Sequence, residues 1–166
     1  MSDFDKDTWA TPQYLFNWLN SIYNFDVDLC ADKDNHKVNR YFTKKDNALE
    51  QSWSFQGKTG YCNPPYSNTK PWIEKAMIEA GRGFTTVMLI PTPNGESYYH
   101  KLFMMAASIT FITGRIAFYN PSLKKYVSGN PRGSCVVEFS KKFSFDLPVQ
   151  IKFSHRDTIK GLFKDE

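Results

Sequence analysis

The 166-residue chain has no apolar run long enough to cross a bilayer. Its longest purely aliphatic stretch, Val87-Met88-Leu89-Ile90, falls far short of the ~20 residues a span requires. Cysteine is scarce. Cys30, Cys62 and Cys135 are odd in number and widely spaced, which argues against a disulfide framework and for reduced thiols in a cytoplasmic setting. The nine glycines and nine prolines show no collagen-like period, and 41% hydrophobic residues are too many for a disordered chain. The opening Met1-Ser2-Asp3-Phe4-Asp5-Lys6-Asp7 is acidic and lacks an apolar segment, so no secretory signal is expected. With no internal repeat and no low-complexity linker, a single domain over residues 1–166 is expected, residues 1–8 forming a loose tail.

Charge is present in both signs but unevenly placed. Residues 1–50 carry nine acids and six bases, residues 51–100 three and four, and residues 101–166 five and eleven, for a net +4. A basic back half suggests a polyanionic partner there, although an ordinary solvated surface would read the same way. Thr11 to Tyr23 spaces Leu15, Trp18, Leu19 and Ile22 as an amphipathic helix, with Thr11 as its N-cap and Pro12 in its first turn. Short strands are expected at Phe25–Cys30 and Thr59–Cys62, a helix over Lys70–Gly81, and a buried parallel strand over Thr85–Ile90. A helix from about Glu96 to Ala107 should follow, then strands at Ser108–Thr113, Ser134–Phe139 and near Val149–Phe153. This alternation predicts an α/β domain with a mainly parallel central sheet flanked by helices. Functional groups of such sheets gather beyond the carboxyl ends of the strands. Asp28-Leu29-Cys30-Ala31 and Asn63-Pro64-Pro65-Tyr66 lie at two of those ends.

Asn63-Pro64-Pro65-Tyr66 is the segment richest in chemistry. The prolines fix the backbone and expose carbonyl acceptors, Asn63 adds an amide oxygen, and Tyr66 offers a flat aromatic face. Two acceptors aimed at one –NH₂ group suit an exocyclic nucleobase amine, whose lone pair is otherwise delocalised into its ring. Drawing on both N–H bonds favours a pyramidal, nucleophilic nitrogen and stabilises the positive charge that develops there. The target base would have to leave its stack to reach the site, where Tyr66 would receive it. The tetrapeptide also reads as a Pro-Pro turn with a packing tyrosine, or as a WW-domain ligand.

Asn63-Pro64-Pro65-Tyr66 matches the catalytic motif of amino-group methyltransferases. In order along the chain come Trp9-Ala10-Thr11-Pro12, Asp28-Leu29-Cys30-Ala31, Tyr41-Phe42-Thr43 and Asp46-Asn47-Ala48-Leu49 with Trp53. They are followed by Asn63-Pro64-Pro65-Tyr66-Ser67, Gly114-Arg115-Ile116-Ala117-Phe118 and Gly133-Ser134. With these the chain resembles the phage and prophage DNA N-6-adenine-methyltransferase family. The resemblance implies a Rossmann-like fold, S-adenosylmethionine as cofactor, and DNA as partner, with a role in protecting phage DNA from restriction. It assigns Asn63, Pro64, Pro65 and Tyr66 to catalysis. Trp9, Thr11 and Pro12 would hold the methionine end of the cofactor, Asp28, Cys30 and Ala31 would lie under it, and Asp46 near its adenosine. The family's pattern tolerates what this chain lacks, a glycine-rich turn after the first strand; Asp32-Lys33-Asp34-Asn35 stands there instead. Asp32, Asp34 and Asp46 also read as turn residues or caps.

Residues 114–133 form a long polar stretch in which cations alternate with aromatics, and Arg115, Phe118, Lys124, Lys125 and Arg132 are candidate DNA contacts. A β-hairpin flap without a ligand is the competing reading. His36, His100 and His155 lie far apart with no cysteine or histidine at ligand spacing, so no metal site is expected. Cys62 should be a core thiol. Two alternatives to adenine N6 methylation stay open: the same acceptors acting on cytosine N4, an RNA adenine or a protein glutamine, and a non-catalytic DNA-binding module.

Overall fold

The computed structural model describes residues 6–93, 104–128, 131–141 and 148–164. Among these, the elements run α1 (Gln13–Tyr23), β1 (Val27–Asp28), β2 (Thr59–Cys62), α2 (Lys70–Gly81), β3 (Thr85–Pro91), β4 (Ser108–Thr113), β5 (Phe118–Asn120), β6 (Lys125–Val127), β7 (Ser134–Phe139), β8 (Gln150–His155) and α3 (Arg156–Leu162). Short 3-10 turns stand at Lys6–Thr8 and Trp53–Gln56.

Because successive strand residues face opposite sides, an uninterrupted apolar run needs cover on both faces. β3 shows this directly. Met88 and Ile90 pack with Val27, Cys62 and Ile73 of α2, whereas Val87 and Leu89 pack with Leu15 and Leu19 of α1. The helices therefore sandwich the sheet. Its strand order is β1-β2-β3-β7-β4-β8, and β5 and β6 form a separate two-stranded hairpin. β1, β2 and β3 are parallel neighbours, as are β4 and β8, but β7 runs antiparallel to both β3 and β4. The expected parallel surroundings of β3 thus hold on its β2 side only. Strand direction leaves no mark on an apolar run, since either pairing buries the same residues.

Several expectations need correction. The N-cap of α1 is Pro12, not Thr11. The Pro12 carbonyl already accepts from Leu15 N and Phe16 N, while the Thr11 hydroxyl is spent on Tyr61 Oη at 2.5 Å. Ile22, expected on the apolar face of α1, is 57% exposed, and Tyr14 and Phe16 are buried instead. The first strand shrinks to two residues as the aspartates before it and at its end bind loop backbone: Asp26 accepts from Lys58 N and Thr59 N, and Asp28 from Cys30 N and Lys37 N. Of the helix expected over Glu96–Ala107, residues 96–103 lie outside the described residues, and Met104 and Met105 are helical. The 114–133 stretch contains the β5–β6 hairpin, with residues 129–130 outside the described set. The supposed loose tail is anchored at its end, where Asp7 accepts from Ser67 N at 3.1 Å.

Candidate active site

Parallel pairing brings the carboxyl ends of β1 and β2 to one end of the sheet, so the chain leaves Asp28 and Cys62 side by side. The ends of β3 and β4 and the start of β7 share that end, since Pro91 and Ile112 both pair with Ser134. Across it runs the N-terminal segment from Asp7 to Thr11. Ala10 exchanges backbone hydrogen bonds with Tyr119 of β5 (Ala10 N to Tyr119 O 2.8 Å; Tyr119 N to Ala10 O 3.0 Å). The Trp9 carbonyl accepts from Asn63 Nδ2 at 3.2 Å.

That last bond orients the Asn63 amide. A carbonyl can only accept, so the NH₂ end of Asn63 faces Trp9 and the oxygen faces the other way. Asn63 Oδ1 is buried and has no hydrogen-bond partner. An orphaned buried acceptor costs ~1–3 kcal/mol, which a ligand N–H would recover. Pro64 is buried next to it, and Pro65 is half-buried. Tyr66 is half-buried as a residue, packed edge-on against Phe118 with ring centroids 5.8 Å apart. Its hydroxyl is enclosed and faces Ser134 without ordinary hydrogen-bond geometry, and burial pushes its pKa far up.

Two adjoining lobes open at this end of the sheet, the smaller one beside Asn63. The smaller, about 30 Å³, is lined by Trp9, Thr11, Asp28, Lys37, Tyr61 and Asn63, among others. The larger, about 350 Å³, has apolar walls from Leu29, Phe42, Ala48 and Trp72 and polar groups from Asp32, Thr43 and Asn47. Asp7, Cys30 and Asn35 border both lobes. The larger volume is that of a small-molecule site. Asp28 is 2% exposed, and desolvation lifts its carboxyl to about 6 against the pull of the Lys37 and Cys30 backbone N–H groups. Burial also pushes the Cys30 thiol up to about 12, so it sits in the cleft as a neutral group.

The lobes fit S-adenosylmethionine on their own chemistry: flat apolar walls for an adenine, hydroxyl-binding groups for a ribose, and a buried carboxylate with unpaired polar atoms for an amino-acid end. Of the residues expected at the cofactor, Trp9, Thr11, Asp28, Cys30 and Ala31 line the cleft. Pro12 caps α1 and does not line it. Asp46 stays outside as well: its fully exposed carboxylate is held by Thr43 N at 2.8 Å and Thr43 Oγ1 at 2.6 Å, which keeps its pKa low and shapes the turn carrying Thr43 and Asn47 into the larger lobe. Of the expected DNA contacts, Arg115, Lys124, Lys125 and Arg132 are exposed. Phe118 is 2% exposed, so it supports Tyr66 from the core and does not face solvent. Among the described residues no group of three or more histidine, cysteine or acidic side chains is placed to hold a metal.

Sequence reading missed Asp7, Asn35, Lys37 and Trp72 as cleft residues. Asp7 lay in a polar tail and Trp72 on a helix, and nothing in their spacing points at the cleft. The Tyr41-Phe42-Thr43 segment did carry a signal, through the family resemblance.

The sequence profile of the family described as DNA N-6-adenine-methyltransferase (Dam) matches residues 1–159. A DNA N-6-adenine-methyltransferase of Haemophilus phage HP1 (strain HP1c1) is 33% identical over 142 residues, covering 83% of this chain and 81% of the relative. A DNA N-6-adenine-methyltransferase of Escherichia phage T1 is 27% identical over 150 residues, covering 81% of this chain and 63% of the relative. With the profile spanning nearly the whole chain, and Asn63 and Pro65 lining the smaller and the larger lobe, the chain belongs to the DNA N-6-adenine-methyltransferase (Dam) family.

Proposed function

We propose that this protein methylates the N6 amino group of adenine in DNA, with S-adenosylmethionine as methyl donor and the target base turned out of the duplex. The sheet, with β2-α2-β3 as a βαβ unit and its site beyond the strand ends, is read as Rossmann-like. When bound, S-adenosylmethionine supplies an electrophilic methyl group. The larger lobe would hold its adenosine part between Phe42, Ala48 and Trp72, and the smaller lobe its amino-acid part near Asp28.

The protein's own work falls on the target amine. Asn63 Oδ1 accepts one N–H, and the Pro64 carbonyl accepts the other. Together they draw electron density toward nitrogen and stabilise the positive charge it gains. Trp9 O, bonded to Asn63 Nδ2, keeps that oxygen aimed at the amine. Tyr66 stacks on the base, backed by Phe118. As the nitrogen gains the methyl group, the sulfur–methyl bond would break and leave S-adenosylhomocysteine as the second product; the methylated amine then loses its extra proton to water, so no deprotonated side chain is needed. Arg115, Lys124, Lys125 and Arg132 contact phosphates beside the site. In an infected bacterium the modification would shield phage DNA from restriction in the host cytoplasm.

The observation that carries this reading is the buried, unpartnered Oδ1 of Asn63, a residue that lines the smaller lobe next to the larger, cofactor-sized one. Mass spectrometry of nucleosides from treated DNA tests it. N6-methyladenine that disappears with Asn63→Ala supports the reading, whereas N4-methylcytosine or unmodified DNA refutes it.

A further inference from the structure

The far edge of the sheet brings a second group of cations to the site end. β8 runs parallel to β4 and pairs His155 with Thr113, so both strands finish there. The chain then enters α3, whose first side chain is tied to the turn leading into the β5–β6 hairpin. Arg156 Nη1 donates to Arg115 O at 2.7 Å, and a Cβ on Gly114 (φ +87°) would stand 3.2 Å from the Arg156 Cβ. Asp157 is the single acid among residues 148–164, and Arg156 holds it through Nε at 2.7 Å and Nη2 at 3.1 Å. Lys152 and Lys160, before and after that pair in the chain, are exposed.

Both lysines belong to one side of the sheet. Phe153 stacks on Phe111, which packs with the cluster on the α2 side. Lys152, its neighbour in β8, therefore turns to the opposite side, where Ile159 seats α3 against the cluster that holds Leu15 and Leu19 of α1. Lys160 follows Arg156 by four residues, one turn further along the same side of α3. Gln13–Tyr23 of α1 contains no charged residue, so the neighbouring helix brings no acid to offset the cations. Lys152, Arg156 and Lys160 thus form a cationic strip that continues to Arg115 at the foot of the hairpin.

Such a strip fits a polyanion lying across the site end of the sheet. β8 is four strand spacings from β2, or ~19 Å. At ~3.4 Å per base pair that distance spans about five to six steps of a duplex. We infer that Lys152 and Lys160, with Arg156 and Arg115, bind backbone phosphates on one side of the target base, about half a helical turn away from it. This deepens the function proposed above and rests on it. It adds to the duplex a contact separate from that of the hairpin lysines, one that fixes register without reading sequence.

Fluorescence anisotropy of the full chain tests this, using labelled duplexes that the parent methylates at a single adenine, with S-adenosylhomocysteine present. On a duplex running ~10 base pairs to either side of that adenine, Lys152→Ala/Lys160→Ala should lower the slope of log affinity against log salt by about 1–2. Lys152→Arg/Lys160→Arg should keep the parent slope. So should Lys58→Ala, which removes an exposed lysine just before β2, at the end of the sheet away from the site. Steady-state methylation by the alanine pair should show a raised KM for DNA at an unchanged kcat. Two shortened duplexes keep ~10 base pairs on one side of the adenine and ~3 on the other, in the two opposite senses. The alanine pair should weaken binding to one of them and match the parent on the other. An unchanged slope, a fall in kcat with KM held, the same result on both shortened duplexes, or a loss with Lys58→Ala overturns the assignment and leaves the proposed methylation standing. If the parent methylates no duplex, the methylation reading falls and the inference falls with it.

Discussion

The two ends of the Asn63 amide are placed differently. The NH₂ end is committed to Trp9 O, which leaves the oxygen buried and unpaired. Asn63→Ala removes the acceptor and should slow single-turnover methyl transfer ~10²–10³-fold, the usual loss for one preorganised partner of a developing charge. Asn63→Asp keeps an acceptor but sets a carboxylate oxygen against the Trp9 carbonyl. It should therefore lose activity as well, and should also show weaker S-adenosylhomocysteine binding because Trp9 lines the same lobe. Asp28 gives a second residue-scale prediction. Burial lifts its carboxyl from an ordinary 3.8 to about 6, so the folded protein holds this proton more tightly than the unfolded chain. Between those values the folded state binds more protons, and stability falls as pH rises, by ~3 kcal/mol in all. Above about 6 the full cost is in place. A cationic ligand group beside Asp28 prefers the ionised form, so donor affinity should change in the opposite sense, strengthening with pH up to about 6 and levelling off beyond it. Calorimetry from pH 5 to 8 checks the binding limb, and urea titrations from pH 4 to 7 check the stability limb; a donor affinity independent of pH would remove Asp28 from the ammonium site.

The two-residue β1 and its partner β2 depend on a turn that only glycine fits. Gly57 sits at φ +145°, and a Cβ there would strike the Asp26 side chain, whose carboxylate accepts from Lys58 N and Thr59 N where β2 begins. Gly57→Ala should cost ~1–3 kcal/mol in urea unfolding and leave activity per folded molecule unchanged. The β5–β6 hairpin tests the other side of the site. Replacing exposed Lys124 and Lys125 together by alanine should reduce the slope of log affinity for DNA against log salt by about 1–2, with S-adenosylhomocysteine binding untouched. Elements with a strong local cause were legible before the fold was known: β2 ends before Pro64-Pro65, and α2, β4 and β7 span the residues expected of them. Others were decided by partners far along the chain. The reversed direction of β7 is set by pairing, and Phe118 is buried because Tyr66 lies against it. The Asn63-Pro64-Pro65-Tyr66 turn after β2 was legible because proline chemistry is local. The cleft was only half legible, since Asp7, Asn35, Lys37 and Trp72 meet there by folding alone.

At the scale of the molecule, one short segment ties every part of the site together. Ser67, just past Asn63-Pro64-Pro65-Tyr66, donates to Asp7 from both its backbone N–H and its hydroxyl. Trp9 O holds Asn63, Ala10 pairs with Tyr119 of the hairpin, and Thr11 meets the buried Tyr61 hydroxyl. Asp7 also borders both lobes of the cleft. A ligand that orders residues 7–11 therefore orders the Asn63–Ser67 loop and the hairpin at the same time, and binding at one should favour binding at the other. By linkage, the factor by which S-adenosylhomocysteine strengthens DNA binding must equal the factor by which DNA strengthens S-adenosylhomocysteine binding. Asp7→Ala releases the segment from Ser67 without touching the hairpin lysines or the Asn63 amide. It should weaken S-adenosylhomocysteine by about three- to tenfold, the worth of one charge-assisted anchor, and shrink the coupling factor toward one. DNA affinity in the absence of cofactor should stay at the parent value. Fluorescence anisotropy of a labelled duplex with and without S-adenosylhomocysteine measures both quantities in one titration series. A coupling factor unchanged by Asp7→Ala would mean that the segment lines the cleft without linking it to the hairpin.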